Sequence, residues 1–274
     1  MRVPFVKMEG AGNDYVFVDA IRDAFPLEQA PHLARAWSDR RFGIGADGLI
    51  VLRRGASAPV AMAMWNADGS EGSMCGNGLR CLAVLAREHG HVHDDAFAIE
   101  TKAGLRTVRI LRDSEARVHC VEADMGNVQV ATEPIRVEVC GHALEFFCGD
   151  AGNPHAVTFV DGSLDRFPVE EIGAALQRHA RFADGVNVEF VRVTDDGSLA
   201  QRTYERGSGE TLACGTGATA AAVCAMQRGL VRGPEVRVQL RGGELRVARR
   251  GSSLVLAGPA RTVFHGVVEA QARA

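Results

Sequence analysis

The chain is poor in lysine: Lys7 and Lys102 are its only two, so arginine carries almost all of the basic charge. That leaves few side chains able to form a Schiff base with pyridoxal phosphate. It has no C-x-x-C pair, its seven cysteines are an odd number, and 274 residues can fold without disulfide staples, so reduced thiols are expected. No stretch approaches the roughly 18 apolar residues of a membrane helix. Arg2, Lys7, Glu9 and Asp14 precede any long apolar run, which does not read as a secretory signal, and a cytoplasmic protein is expected. Blocks of like charge are missing too. With 46% hydrophobic residues, 24% charged residues and a net charge of −3, nothing marks a nucleic-acid arm, a membrane-binding patch or a disordered tail. The length allows one large domain or two of about 130 residues.

What is present is a chain that repeats itself once, at a displacement close to 140 residues. Ala11-Gly12-Asn13 before Tyr15-Val16-Phe17-Val18 returns as Ala151-Gly152-Asn153 before Val157-Thr158-Phe159-Val160, each a turn beside a strand. Arg41-Phe42 followed by Ala46-Asp47-Gly48-Leu49 returns as Arg181-Phe182 followed by Ala183-Asp184-Gly185-Val186, and each leads into a strand, Ile50–Leu52 or Val188–Val191. A helix-like segment precedes both, with apolar Leu33, Ala34 and Trp37 in one copy and Ile172, Leu176 and Ala180 in the other. The fourth echo is chemical: Glu71 and Cys75-Gly76-Asn77-Gly78 match Glu210 and Cys214-Gly215-Thr216-Gly217. Between these anchors lie short β-rich runs such as Val60–Trp65, Leu105–Leu111, Ile135–Val139 and Glu235–Leu240. The segments Leu79–Ala86 and Ala218–Met226 are apolar or small nearly all round, which predicts helices buried on every side. The pattern predicts an α+β fold of two pseudo-symmetric domains. Each would be a mostly antiparallel sheet or barrel wrapped around a central helix, with an active site in the cleft between them.

A Cys-Gly-x-Gly turn opening a buried helix sets a sulfur and unpaired backbone N–H groups at the positive end of the helix dipole. The glycines let a carboxylate approach the backbone, and the same field is expected to lower the thiol pKa from its usual value of about 8.5. Two such sites could converge on one small anion, one removing a proton from an α-carbon and the other supplying a proton to the opposite face. Fixed N–H donors in a dry pocket would stabilise the charge that develops on the substrate carboxylate, so no cofactor is required. Cys81, Cys120, Cys140, Cys148 and Cys224 lack the flanking glycines and the echo and are assigned to packing.

Asn66-Ala67-Asp68-Gly69-Ser70-Glu71 with Met74-Cys75-Gly76-Asn77-Gly78, and Tyr204-Glu205-Arg206-Gly207 with Ala213-Cys214-Gly215-Thr216-Gly217, resemble the two cysteine motifs of the diaminopimelate epimerases. The resemblance extends to Gly10–Asp14, Phe42–Gly48, Gly152-Asn153-Pro154-His155 and Asn187–Phe190. It implies that Cys75 and Cys214 are the base and acid, and that Gly76, Asn77, Gly215 and Thr216 offer amides to the reacting carboxylate. It also implies that Asn13, Asn66, Asn153, Asn187 and a buried Arg206 hold the substrate, that Glu205 accepts from an ammonium, and that His155 and Glu205 tune the thiols. Gly48, Trp65 and Ala151 depart from the expected pattern. The implied substrate is a small molecule with an amino-acid group at each end, the implied assembly a homodimer, and no cofactor or metal is called for. The last residues, from about Val263, would return to the first domain, giving domains 1–122 plus 263–274 and 123–262.

Rival readings remain at this point. Gly43-Ile44-Gly45-Ala46-Asp47-Gly48 fits the dinucleotide fingerprint G-x-G-x-x-G, but a strand rather than a helix is expected after it. His89, His91 and His93 with Asp94 and Asp95 could bind a metal, although they read better as a solvated loop. Another amino-acid racemase would share the cysteine pair, and a non-catalytic amino-acid-binding module would not need both cysteines.

Overall fold

Alternating apolar residues dictate the layering. The computed structural model describes residues 1–270. In the strands Asn13–Asp19 and Gly48–Arg54, Phe17, Ile50 and Leu52 point to one face of a sheet, while Val16, Val18, Leu49 and Val51 point to the other, as the period of two requires. Helix α1 (Ala30–Ser38) covers the second face with Leu33, Ala34 and Trp37. Helix α2 (Gly76–Glu88) covers the first with Leu79, Leu82 and Leu85, each worth about 1.5–3 kcal/mol when fully buried.

The chain divides into two units, Met1–Asp124 joined by the stretch from Gly258, and Met125–Ala257. In the first, Arg2–Gly10 pairs antiparallel with Asn13–Asp19 on one side and with Arg261–Glu269 on the other. Among the described residues of this unit pairing is antiparallel except in two places. Asn13–Asp19 lies parallel to Gly48–Arg54, with α1 as the crossover, and Val60–Asn66 lies parallel to Ala96–Thr101, with α2 as the crossover. Helical crossovers are what parallel neighbours need. Helix α2 touches Arg2–Gly10, Asn13–Asp19, Gly48–Arg54, Val60–Asn66 and Gly104–Arg112, which is why its residues from Gly76 to Ala86 are all buried.

The second unit repeats this plan. Pro154–Phe159 lies parallel to Asn187–Val193 across helix α3 (Val169–Leu176), and Leu199–Glu205 lies parallel to Glu235–Leu240 across helix α4 (Gly215–Gln227). Val188 and Phe190 face α3 in a core with Ile172, Leu176 and Phe182. Helix α4, buried from Gly215 to Ala225, is built over that stretch of Gly, Ala, Thr, Val and Cys because it is surrounded by strands.

Two expectations fail locally. Helix α3 ends at Leu176, and Ala180 is exposed at the start of a 3₁₀ turn, so it belongs to no apolar stripe. Cys140 is exposed rather than packed: it sits with φ of 49° in the turn between Ile135–Val139 and His142–Asp150. The Gly43–Gly48 motif follows a helix and opens the strand Gly48–Arg54, which rules out a dinucleotide-binding turn. Among the described residues no helix is long and apolar enough to cross a membrane.

Candidate active site

Cys75 is the N-cap of α2, and Gly78 N–H donates to its Sγ across 3.5 Å. The thiol donates to Asn13 Oδ1 at 3.4 Å, and Asn77 Nδ2 donates to the same oxygen at 3.4 Å. Asn13 in turn donates to Asp47 Oδ2, which also accepts Asp14 N–H at 3.0 Å. Burial, aided by the negative charge of Asp14, pushes the Asp47 carboxyl above its ordinary range. Beneath the helix start lies Arg80, fully buried, donating to Asn77 Oδ1 at 2.8 Å, Gly76 O at 3.3 Å and Pro259 O at 3.2 Å. Gly78 is required by close approach, since a Cβ there would lie 2.3 Å from Ile50 Cδ1. The structure therefore brings Cys75, Gly76, Asn77 and Asn13 together. Asn66 is exposed at its strand end and donates to Ser70 Oγ at 2.9 Å, and the next residue, Ala67, donates its N–H to Asp47 O at 3.0 Å. Gly48 has a structural reason: its position opposite Asn66 leaves a Cβ only 2.2 Å from Trp65 O.

In the second unit Cys214 caps α4 and is 5% exposed, its Sγ 3.4 Å from Thr216 Oγ1. Asn153 Oδ1 lies 2.8 Å from His155 Nε2, and His155 Nδ1 lies 2.9 Å from Glu189 Oε1. Asn187 donates to Pro154 O at 3.0 Å and accepts Arg206 N–H at 3.0 Å. Glu205 accepts from Thr211. The structure thus forms one chain from Asn153 through His155 to Glu189, and a second contact of Asn187 with the Arg206 backbone. Two corrections follow. Arg206 is exposed, its Nη1 donating to Asp184 O at 3.3 Å, so no penalty for a buried unpaired guanidinium applies. The Cys214 thiol is raised well above its ordinary pKa, not lowered: burial dominates, the negative charges of Glu205 and then Glu189 add to it, and the Thr216 contact opposes it. The Gly217 N–H at the helix start also opposes the rise without reversing it.

Strand register explains the asymmetry between the copies. Tyr15 pairs with Gly48 and Phe17 with Ile50; His155 pairs with Asn187 and Val157 with Glu189. Glu189 thus occupies the place of Ile50. A Cβ at Gly217 would lie 2.3 Å from Glu189 Oε1, just as one at Gly78 would meet Ile50. One cysteine helix rests on an aliphatic side chain and the other on a carboxylate that is 0% exposed, whose Oε2 has no hydrogen-bond partner among the described residues. In the sequence Glu189 carries one chemical signal, that of the single acid in the valine-rich strand Val186 to Val193.

Glu189→Gln keeps the hydrogen bond to His155 and removes a charge that holds the Cys214 thiol up. The pH at which Cys214 reaches half its maximal alkylation rate, followed by peptide-resolved mass spectrometry, is expected to fall. An unchanged profile in a folded variant would remove Glu189 from the thiol's environment.

A family model described as diaminopimelate epimerase matches residues 5–131 and 147–263. The chain is 42% identical to the diaminopimelate epimerase of Leptospira biflexa serovar Patoc, over 98% of this chain and 100% of that one. It is also 42% identical to that of Geobacillus thermodenitrificans, over 96% and 95%. Among solved structures, a Bacillus anthracis phenazine biosynthesis protein of the PhzF family superposes with a TM-score of 0.78 at 16% identity, covering 98% of this chain and 99% of that one. A probable proline racemase from Agrobacterium radiobacter K84 gives 0.76 at 16% identity, covering 98% and 93%. At these identities the two structures share the fold, an α+β architecture.

Proposed function

Because the chain belongs to the diaminopimelate epimerase family, we propose that it interconverts LL-2,6-diaminopimelate and meso-diaminopimelate by two-cysteine proton transfer. The reaction would serve lysine and cell-wall precursor biosynthesis in the cytoplasm, with the chain acting as a homodimer. The observation that carries the reading is the duplicated Cys-Gly-x-Gly helix start, each copy with its sulfur at the N-cap of a buried helix. One thiolate takes the α-hydrogen from one face of the carbon, and the opposing thiol delivers its own proton to the other face. For the reverse reaction the roles exchange.

The surroundings of the two sulfurs favour one resting state. Cys214 lies buried near Glu205 and Glu189 and holds its proton. Both sulfurs lie at helix starts, where negative charge is favoured, and each receives a first-turn N–H, but Ile50 rather than Glu189 lies against the Cys75 helix. We assign Cys214 the starting role of acid and Cys75, once it has released the proton it donates to Asn13 Oδ1, that of base. The first-turn amides of Gly76, Asn77, Gly215 and Thr216 face the reacting carboxylate, Glu205 the ammonium, and Asn13, Asn66, Asn153, Asn187 and Arg206 the rest of the substrate. His155 acts on the thiol through Glu189. Incubation with LL-2,6-diaminopimelate in heavy water tests the reading: deuterium enters one α-carbon as the meso isomer forms. A protein that only binds the amino acid leaves it unlabelled.

A further inference from the structure

We propose that Asp19, His89 and His91 form a binding site for a divalent transition-metal ion of the zinc class, at the end of α2 remote from Cys75. His89 Nδ1 lies 2.7 Å and His91 Nε2 2.6 Å from the same oxygen, Asp19 Oδ2, and the three atoms all fall within 4.8 Å of one another. The expectation of a solvated loop holds for His93 and Asp94, which are exposed, but not for His89 and His91, which are half-buried against an Asp19 side chain only 4% exposed. Thirteen helical residues separate the two ends of α2, a rise of about 20 Å, so the trio lies outside the cysteine site.

The backbone builds this cluster. Helix α2 ends in a Schellman motif: Gly90, with φ of 77°, donates to Arg87 O at 3.3 Å, and His91 N–H donates to Ala86 O at 3.0 Å. The motif fixes His89 at the C-cap and His91 just beyond the glycine. The carboxylate is fixed too, because Asp19 Oδ1 accepts the N–H groups of Ile21 at 3.0 Å and Arg22 at 3.3 Å. That leaves Oδ2 for the imidazoles, and hydrogen bonds of this kind to the second oxygen are how ligating carboxylates are oriented. Two imidazole nitrogens and one carboxylate oxygen are a zinc-type donor set, with a fourth position left to water. Bonds of about 2.0–2.1 Å in a tetrahedron separate ligand atoms by roughly 3.3 Å, so the ion needs each imidazole to back away from Oδ2 by well under 1 Å. Each ring turns its lone pair on the nitrogen facing Asp19 to the ion, and a hydrogen carried on that nitrogen moves to the other ring nitrogen or to solvent.

The internal repeat supplies a control. Helix α4 ends in the same motif, with Gly229 donating to Met226 O and Leu230 N–H to Ala225 O. There Arg228 and Leu230 stand where His89 and His91 do, and strand register puts Phe159 in the place of Asp19. Arg228 Cζ lies 6.0 Å from the Phe159 ring centroid and 4.3 Å from that of Phe147. The helix end thus closes onto its strand by a cation–π contact with no metal-ligating atom, so the fold itself does not demand two histidines and an aspartate.

The untagged, reduced full chain is titrated with Zn²⁺ by calorimetry and with Co²⁺ by visible absorption. One ion per chain is expected at a nitrogen and oxygen site, with cobalt ligand-field bands and no sulfur charge-transfer band. His89→Ala and His91→Ala are each expected to weaken binding by more than the ~10–100-fold that losing an outer-shell partner costs, while exposed His93→Ala leaves it unchanged. X-ray absorption at the zinc edge of the wild-type chain reads the ligands independently of any variant's folding, and should show two imidazoles. Absence of saturable binding, equal binding by the His89 and His91 variants, or a sulfur-dominated shell would each overturn the site, leaving the two histidines as hydrogen-bond donors to Asp19.

Discussion

Cys75→Ala and Cys214→Ala should each lose at least ~10³-fold in net epimerisation, because each removes the only proton carrier on one face of the α-carbon. A single acid or base contributes ~10²–10⁴. The two variants are expected to differ in what survives. With Cys214 gone, Cys75 can still withdraw a hydrogen and return one from solvent to the same face, so the isomer presented to it exchanges its α-hydrogen without inverting. With Cys75 gone, the surviving thiol is the one held up by burial, Glu205 and Glu189, and exchange through it should begin only at higher pH. Chiral separation of products alongside mass measurement of deuterium resolves both quantities. Near wild-type turnover in either variant would defeat the two-cysteine mechanism. Inversion retained without exchange would do so as well.

The duplication was legible because it was written in the same residue types twice. Asn13 and Asn153, the helix-leading segments and the two Cys-Gly-x-Gly turns recur in order, and the stretches Leu79–Ala86 of α2 and Ala218–Met226 of α4 are apolar or small nearly all round. The dinucleotide decoy could be dismissed from its flanks alone, since Gly48–Arg54 reads as a strand. What escaped was whatever depends on side chains meeting from distant positions. Asp19 precedes His89 by about seventy residues and carries no pattern of its own, so the histidines read as solvent-facing until the Asn13–Asp19 strand brought a carboxylate to them.

The same limit governed the electrostatics. A helix start is visible in sequence and its dipole argues for a lowered thiol pKa, but burial and acidic neighbours are tertiary facts. Glu205 ends one strand and Glu189 sits inside another, and only their register on a common sheet sets them against Cys214. In the first unit Ile50 holds the position of Glu189. Two motifs that look equivalent as strings therefore sit in different environments, and the proposed division into a resting acid and a resting base follows from that difference.

The chain should label diaminopimelate and spare lysine, although the expected margin is set by the structure rather than by the motif. A buried arginine left without its carboxylate would impose a penalty worth a thousandfold or more, but Arg206 is exposed and its backbone, not its guanidinium, is what Asn187 holds. An exposed guanidinium loses little by staying hydrated when lysine, lacking a second carboxylate, is offered. What remains is the gain from charge-assisted hydrogen bonds to the far carboxylate, about 1.5–3 kcal/mol, or roughly 10–100-fold in favour of diaminopimelate. Competition between LL-2,6-diaminopimelate and lysine in heavy water, followed as the ratio of their initial labelling rates, measures it. Arg206→Lys keeps the charge but loses the planar fork that pairs with a carboxylate in two places, so it should shrink that ratio while lysine labelling stays where it was. Rapid labelling of proline or glutamate with diaminopimelate inert would leave the cysteine chemistry standing and defeat the substrate assignment. A ratio that Arg206→Lys does not move would shift the reading of the far carboxylate to other groups.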